Sequence, residues 1–172
     1  MADEQISMFS EEAAPVTGKP TSFSISKTIN GAAQKVFDHW LIPVFLEEWM
    51  FGAHTGHDTI DSLDNTVRRG GDFCYKVSSK KQQTVVQGRY LELDIPTLLS
   101  FTWLESDEQI EVEAIQDHPQ TCQCTVSFEE SDGKTRFKLQ VKVPAALSED
   151  KESLKACWTE RCNALSARFK KS

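Results

Sequence analysis

The sequence predicts an α+β domain in which a curved antiparallel sheet of about six or seven strands wraps around one long C-terminal helix. From about residue 58 to residue 143, short runs of alternating apolar and polar side chains are separated by turn residues. This pattern is typical of antiparallel strands. From about residue 148, apolar side chains recur at steps of three and four residues, which is typical of an amphipathic helix.

The first strand is predicted to begin near Thr21 and to end at Ile29, because Phe23 and Ile25 alternate with serines. Apolar side chains then return at helical spacing on both sides of Pro43. Proline is tolerated at the start of a helix but not inside one. Two short helices with a turn between them are therefore expected after the first strand.

The centre of the predicted sheet contains a weakly alternating run over residues 56–64 and several stronger runs after it. In the clearest run, residues 135–143, apolar side chains alternate with arginine, lysine and glutamine. It is preceded by Ser131-Asp132-Gly133, and an Asp-Gly pair supplies the positive φ angles of a tight hairpin turn. These runs predict consecutive antiparallel strands joined by short turns.

The C-terminal helix is predicted to begin near Ser148 and to be the longest in the chain. Glu149 and Asp150 suit its N-terminus, and Lys170 and Lys171 suit its C-terminus, because charges of these signs compensate the helix dipole. The apolar face of the sheet needs an element to cover it, and this helix alone is long enough. We expect the curved sheet and the helix to leave a space between them, lined by aromatic side chains.

Length and composition limit the possible functions. The chain has 172 residues, a formal net charge of −7 and an isoelectric point near 5.1. It is predicted to hold a single domain over residues 21–172 after a mobile acidic tail over residues 1–20, whose apolar content is too low to offset its ordering entropy. The acidic balance argues against nucleic-acid binding and against electrostatic docking on anionic membranes.

The apolar runs, the N-terminal residues and the cysteines predict where the protein is located. No apolar run approaches the roughly 18 residues of a membrane span, and the N-terminal residues lack the basic and apolar regions of a secretory signal. The five cysteines are odd in number and follow no disulfide framework spacing. The sequence therefore predicts reduced thiols and a cytoplasmic location. It makes no prediction of the oligomeric state.

Three segments carry a family resemblance through their order and spacing. The first is VFDHWLIPVFLEEWM; the second is RRGGDFCYKV, which leads into GRYLELDIPTLLSFTW; the third is TVSFEESDGKTRFKLQVKV, followed by a helix with Trp158 and Leu165. Together they resemble one branch of the START-like (SRPBCC) superfamily. This branch is named after the activator of the heat-shock-protein-90 ATPase, and the resemblance is to the C-terminal domain of that activator. The resemblance covers roughly residues 23–169.

The resemblance implies a helix-grip fold but no particular activity, because a fold can host many functions. The first hypothesis is a stand-alone cytoplasmic protein that binds a small apolar or amphipathic molecule in the cavity between sheet and helix, with a stress-related or regulatory role. The second is an enzyme that acts on a polyketide-like or other apolar substrate. The third is a protein-interaction module of the chaperone-activator type, with a chaperone as its partner.

Aromatic residues are the strongest candidates for the lining of this cavity, since ligand sites are mostly apolar and concave. The alternative is ordinary core packing, to which large aromatic side chains contribute in any domain. The candidates are Trp40, Trp49, Phe73, Tyr75, Tyr90, Phe101, Trp103 and Trp158.

The polar cavity candidates are His39, His54 and Arg89, and Tyr75 and Tyr90 add hydroxyl groups. Arg89 could bind a ligand carboxylate in bidentate fashion. Adjacent residues of a strand point to opposite faces, so Arg89 and Tyr90 cannot both point inward unless Gly88 marks a bulge. We favour Tyr90 as the inward residue, with Arg89 as a solvated surface charge.

No catalytic constellation, metal site or cofactor is predicted. His54 and His57 lack a partner pair at zinc-site spacing, and Cys122 and Cys124 fit the alternation of one strand. Cysteines in such apolar surroundings are usually unreactive. No glycine-rich phosphate loop is present, since Gly70-Gly71 reads as a turn.

Overall fold

The computed structural model describes residues 18–80 and 82–170, except for the side chains of residues 53 and 54. The tail predicted over residues 1–20 lies outside the described residues apart from its last three positions. The described strands are β1 (Thr21–Ile29), β2 (Asp58–Asn65), β3 (Asp72–Ser79), β4 (Gln82–Asp94), β5 (Leu98–Ser106), β6 (Cys122–Ser131) and β7 (Lys134–Val143). The described helices are α1 (Ala33–His39), α2 (Pro43–Trp49), α3 (Val112–Ile115) and α4 (Lys151–Arg168), with 3-10 turns at Gly52–Thr55 and Ala145–Asp150.

The strands form one antiparallel sheet in the order β1-β7-β6-β5-β4-β3-β2. Strands β2 to β7 follow one another as neighbours, and β7 then pairs with β1. Two short helices follow β1, and the long helix α4 ends the described chain. The predicted α+β helix-grip fold is confirmed.

The β6–β7 hairpin forms where the sequence predicts it. Ser131 pairs with Lys134, so the loop consists of Asp132 and Gly133, with φ angles of 54° and 76°. Along β7 every second side chain, from Thr135 to Val143, is buried and those between are exposed. The period of two therefore places one face of this strand on the core.

Helix α4 begins at Lys151, after the 3-10 turn, and so starts slightly later than predicted. It buries Trp158, Cys162 and Leu165, which lie at the three- and four-residue steps that face one side of a helix. Its backbone packs against β1 and α2. The helix thus covers the side of the sheet where β1 lies.

Gly88 permits a close approach between β3 and β4. It pairs with Phe73 across the two strands. A Cβ atom at Gly88 would lie 1.9 Å from the carbonyl oxygen of Thr102 and 2.3 Å from Cζ of Phe73. The missing side chain therefore makes room for the Phe73 ring. The strand irregularity lies further along, between Tyr90 and Glu92, and not at Gly88.

The convex face of the sheet carries a second, smaller core under the β5–β6 connection. Val85, Leu104 and Ile115 are buried there, apart from the main core. The Gln87 side chain fixes this connection: its Nε2 donates to the carbonyl oxygen of Ile110, and its Oε1 accepts from the Ile110 N–H, both at 3.0 Å. Helix α3 lies in this connection and was not predicted, because its four residues are too few to set up a helical period.

Candidate ligand site between the sheet and helix α4

An aromatic chamber lies on the concave face of β3, β4 and β5, bounded by the helical segment that follows β1. It is lined by Trp40, Met50, Phe73, Tyr75, Tyr90, Phe101 and Trp103. The space left among these side chains is about 10 Å³, which is at most the room needed by one water molecule. The predicted cavity is therefore filled by its own side chains in this conformation.

Phe73 is the centre of this chamber. Its ring centroid lies 4.9 Å from that of Tyr75 and 5.4 Å from that of Tyr90. The rings of Phe101 and Trp103 follow at 6.0 Å each. These spacings are those of favourable aromatic pairs, so the rings stabilise one another as well as filling the space.

Two tyrosine hydroxyls and an amide form the polar part of the chamber. Asn65 Nδ2 donates to the Leu41 carbonyl oxygen at 2.7 Å and to the Tyr90 hydroxyl at 3.3 Å. Burial raises the pKa of Tyr75 well above its usual value, and it raises the pKa of Tyr90 as well. Both phenols are therefore protonated at neutral pH and can donate a hydrogen bond.

An open groove adjoins the chamber between the α2–β2 segment and α4. Its volume is about 400 Å³, within the usual range for small-molecule sites. Its lining includes Trp49, Met50, His57, Asp58, Cys157, Glu160 and Arg161. Met50 lines both the groove and the chamber, so this residue lies where the large space adjoins the filled one.

Arg161 of α4 is held at the inner side of the groove. Its Nε donates to the Met50 carbonyl oxygen at 3.0 Å, and its Nη2 lies 3.5 Å from Glu105 Oε2. The same carboxylate oxygen accepts a hydrogen bond from Trp103 Nε1 at 2.8 Å. The guanidinium carbon lies 4.7 Å from the ring centroid of Trp158 and 5.2 Å from that of Trp103. This cation is fixed by contacts on several sides.

Two donors at this place have no acceptor. Among the described residues, the buried side-chain nitrogen or oxygen atoms without a hydrogen-bond partner are Nη1 of Arg161 and Nε1 of Trp40. Both side chains pack against the Trp158 ring, since the Trp40 ring stacks on it at 6.5 Å. A buried donor without a partner is unfavourable. This part of the core is therefore short of hydrogen-bond acceptors.

The aromatic residues singled out from the sequence all belong to this region. Six of the eight line the chamber: Trp40, Phe73, Tyr75, Tyr90, Phe101 and Trp103. Trp49 lines the groove, and its Nε1 donates to the His39 carbonyl oxygen at 2.8 Å. Trp158 packs between Trp40, Trp103 and the Arg161 guanidinium.

The polar candidates lie elsewhere. Arg89 points away from the chamber and pairs with Asp72 at 2.8 Å, because it occupies the strand position next to the inward Tyr90. The His39 ring stacks on Phe45 with centroids 4.2 Å apart, packs against Phe169 and bonds through Nδ1 to the Lys35 carbonyl oxygen at 2.8 Å. It does not line the chamber, since the α1 turn directs it towards the end of α4. The His54 side chain lies outside the described residues.

The sequence interpretation missed two residues that matter here, Met50 and Arg161. Met50 follows the apolar spacing of the second short helix, but nothing in that spacing distinguishes a residue beside a groove from an ordinary core residue. Arg161 did give a signal: it occupies an apolar position of α4, three residues after Trp158 and one before Cys162. An arginine in a buried stripe requires partners, and this could have marked it.

The buried thiols are poor nucleophiles. Cys122, Cys124 and Cys162 are buried free cysteines. Burial raises the pKa of Cys122 to about 11 and that of Cys162 to about 12, and it also raises the pKa of Cys124 strongly. A thiol reacts as its thiolate, so these groups are unreactive at neutral pH.

Within residues 18–80 and 82–170, no group of three or more His, Cys, Asp or Glu side chains is arranged to hold a metal ion. No helix in the same part of the chain combines the length and the hydropathy needed to cross a membrane.

Residues 30–170 match the family model described as activator of Hsp90 ATPase homolog 1-like protein. No curated protein matches the chain. A solved structure of a Chromobacterium violaceum protein is 17% identical, with a TM-score of 0.72, over 88% of this chain and 98% of that one. A Rhizobium leguminosarum protein is 16% identical with a TM-score of 0.69, over 91% and 98% of the two chains. A Staphylococcus epidermidis protein is 19% identical with a TM-score of 0.67, over 86% and 88%. At these identities the likeness shows the fold alone.

Proposed function

Because the chain belongs to the family of activator of Hsp90 ATPase homolog 1-like proteins, whose helix-grip fold is of a ligand-binding type, we propose that it binds a small apolar or amphipathic molecule without transforming it. The ligand occupies the groove beside α4 and reaches into the aromatic chamber. The fold alone cannot carry this proposal, because one fold serves many functions. It rests on the local geometry around Met50.

The observation that supports it is that Met50 lines both spaces. The groove, at about 400 Å³, has room for a small ligand, whereas the chamber, at about 10 Å³, has none. Methionine is unbranched and adapts its shape more readily than other apolar side chains. A change of its rotamer joins the groove to the chamber and exposes aromatic faces to an apolar ligand.

The closed chamber sets a condition on affinity. A ligand shifts a conformational equilibrium only by as much as it prefers one state over the other. Moving Met50 and the rings beside it loses packing contacts, which the ligand must replace with its own apolar surface. The proposal therefore favours ligands with flat ring systems, which can take the place of a displaced aromatic contact.

The experiment is titration with the neutral fluorescent probe N-phenyl-1-naphthylamine. The wild type is expected to bind it with a rise in fluorescence. Met50→Ala, which shortens this side chain, is expected to bind it several-fold more tightly, and Met50→Leu, of similar volume, within about twofold of wild type. The exposed Val44, replaced by alanine, is the control for an apolar truncation remote from the site.

Native mass spectrometry of freshly purified protein, followed by extraction, complements the titration. A bound small molecule supports the proposal and identifies the ligand class. If the protein is empty and no variant binds the probe, the proposal is wrong. Equal binding by the wild type and Met50→Ala would contradict the role given to Met50.

A second candidate is an enzyme, and the observation that favours it is the pair of protonated tyrosines at the chamber. Burial raises the pKa values of Tyr75 and Tyr90, which keeps both phenols neutral, so either hydroxyl can donate a hydrogen bond to a substrate oxygen on which negative charge develops. The two candidates differ in what is recovered after incubation. A bound compound that is recovered with an unchanged mass favours binding. A mass change that disappears in Tyr75→Phe favours the enzyme.

A cytoplasmic location and a stress-related or regulatory role are also part of the proposed function. All five cysteines are free thiols, which agrees with a reducing compartment. Cell fractionation tests the location. Comparison of a deletion strain with its parent under heat and oxidative stress tests the role, and equal growth in every condition would contradict it.

A further inference from the structure

The polar group of the ligand can be inferred from the two unpartnered donors beside the chamber. We propose that the ligand carries a neutral carbonyl oxygen, which accepts a hydrogen bond from Arg161 Nη1. This inference rests on the proposed binding function and specifies its chemistry. Both donors are buried without a partner, and both side chains pack on the Trp158 ring.

The position of Nη1 is fixed before any ligand arrives. The guanidinium is planar, and its Nε and Nη2 are directed at the Met50 carbonyl oxygen and Glu105. The rings of Trp103 and Trp158 contact it from the side, but a ring face offers no lone pair. The remaining N–H groups on Nη1 are thus held in one direction, and the Nη1 atom itself is buried, which strengthens a hydrogen bond to an acceptor.

Its location joins this donor to the proposed entry route. The backbone carbonyl of Met50 accepts the Arg161 Nε–H, and Met50 lines both the groove and the chamber. A ligand that displaces the Met50 side chain therefore arrives beside the guanidinium. The apolar part of the ligand then contacts the aromatic rings of the chamber, and its oxygen accepts a hydrogen bond from Arg161 Nη1.

The charges around the groove favour a neutral oxygen over a carboxylate. The Arg161 charge already faces Glu105, with Nη2 and Oε2 3.5 Å apart. Asp58 and Glu160 line the groove, and the whole chain carries a net charge of −7. A carboxylate would approach three like charges and lose its hydration. What the site lacks is a hydrogen-bond acceptor, and a ketone, ester or amide carbonyl supplies one without a charge.

The test compares three probes that share one ring system: 2-ethylnaphthalene, 2-acetonaphthone and 2-naphthoate. Each displaces N-phenyl-1-naphthylamine from the wild-type protein. The ketone is expected to bind roughly tenfold more tightly than the hydrocarbon, and more tightly than the carboxylate.

Variants assign the preference to Arg161. Arg161→Gln is expected to reduce the ratio between ketone and hydrocarbon affinities to about threefold or less. Arg89→Gln is the matched control: it removes an arginine paired with Asp72 on the other face of the sheet and is expected to leave the ratio unchanged. The wild-type series needs no variant, so it decides the question even where Arg161→Gln fails to fold.

The outcomes separate this inference from the function it rests on. If none of the probes binds, the proposed function is wrong. If hydrocarbon and ketone bind equally, ligand binding stands and the carbonyl inference is overturned. Tightest binding of 2-naphthoate would also overturn it, in favour of an anion site.

Discussion

The two halves of the sheet fill their concave faces in different ways. In the half formed by β1, β6 and β7, the buried side chains are mostly Val, Leu, Ile and Cys, such as Leu139, Val141 and Cys124. In the half formed by β3, β4 and β5, they are mostly aromatic, such as Phe73, Tyr90 and Trp103. We call these the aliphatic half and the aromatic half.

The difference follows from the position of α4. Its backbone packs against β1, at the edge of the aliphatic half, where small side chains allow a helix to lie close. The aromatic half receives less of the helix, and large rings fill the remaining depth. Close packing by branched side chains has one stable arrangement, whereas rings beside an adaptable methionine can be displaced.

Several buried polar groups lie in or beside the aromatic half. Arg161 and Trp40 carry the unpartnered donors, and Tyr75 and Tyr90 carry buried hydroxyls. Since buried polar groups are normally satisfied, this concentration supports the proposed ligand site in the aromatic half. Under that proposal the aliphatic half contributes stability, and the aromatic half gives up some stability for binding.

The largest expected effect comes from deleting one buried side chain in each half. Phe101→Ala and Leu139→Ala are each expected to lower the free energy of unfolding by about 3–5 kcal/mol, measured by urea denaturation. N-Phenyl-1-naphthylamine is expected to raise the melting temperature of Phe101→Ala more than that of Leu139→Ala. The reason is that the enlarged chamber adjoins the groove, whereas the space left by one leucine is too small for the probe. An equal rise in melting temperature for the two variants would contradict the distinction between the halves.

Gly88→Ala tests the packing of the aromatic half without shortening any side chain. The added Cβ would meet the Thr102 carbonyl oxygen at 1.9 Å and Phe73 Cζ at 2.3 Å, so strand and ring must both move. The free energy of unfolding is expected to fall by about 2–3 kcal/mol, and the near-UV circular dichroism spectrum is expected to change. Gly56→Ala is the control. Its φ of +80° is strained for alanine, but no atom lies within 4 Å of an added Cβ. This variant is expected to lower the free energy of unfolding by about 1 kcal/mol. Equal losses in the two variants would show that the contact with Phe73 is unimportant.

The sequence was sufficient for the fold and for the face of the sheet on which each aromatic side chain lies. Alternation along β3 and β5 places Phe73 with Tyr75, and Phe101 with Trp103, on one face each, because the strand period is local. The same argument put Tyr90 inward and Arg89 outward, as found. These predictions needed no knowledge of how the strands meet.

The sequence was insufficient for whatever depends on distance between elements. Whether the chamber is open depends on the curvature of the sheet and on where α4 lies, and neither has a local signal. His39 faces the end of α4 because of how α1 packs, which its helical spacing does not determine. Met50 and Arg161 acquire their importance from their contact with each other, across about a hundred residues of sequence.

The pH dependence of stability tests a region that belongs to neither half, the contact of His39 with Phe45 and Phe169. Burial lowers the pKa of His39 below its ordinary value of 6.5, so the unfolded chain binds this proton more readily than the folded one. The stability that His39 contributes is complete above pH 6.5 and is lost as the pH falls through 6.5 towards the folded pKa, by at most about 1.4 kcal/mol per pH unit.

The measurement is urea denaturation at several pH values between 7 and 5, which begin above the ordinary pKa of 6.5 and extend to its acid side. His39→Phe keeps an aromatic ring between Phe45 and Phe169 but cannot titrate, so its stability should fall less steeply than that of the wild type. His57→Gln, at an exposed position, should follow the wild type. A wild-type slope equal to that of His39→Phe would assign the acid sensitivity to other groups.

The smallest expected effect is on the reactivity of single thiols, and it locates the ligand. Cys157 is exposed and lines the groove, while Cys122, Cys124 and Cys162 are buried with raised pKa values. Cys157 should react fastest with Ellman's reagent, and Cys157→Ser should lack this fast phase. Saturating N-phenyl-1-naphthylamine should slow it several-fold, because the bound probe covers the groove. An unchanged fast phase, at a probe concentration where fluorescence reports full binding, would move the ligand out of the groove and leave the chamber as its whole site.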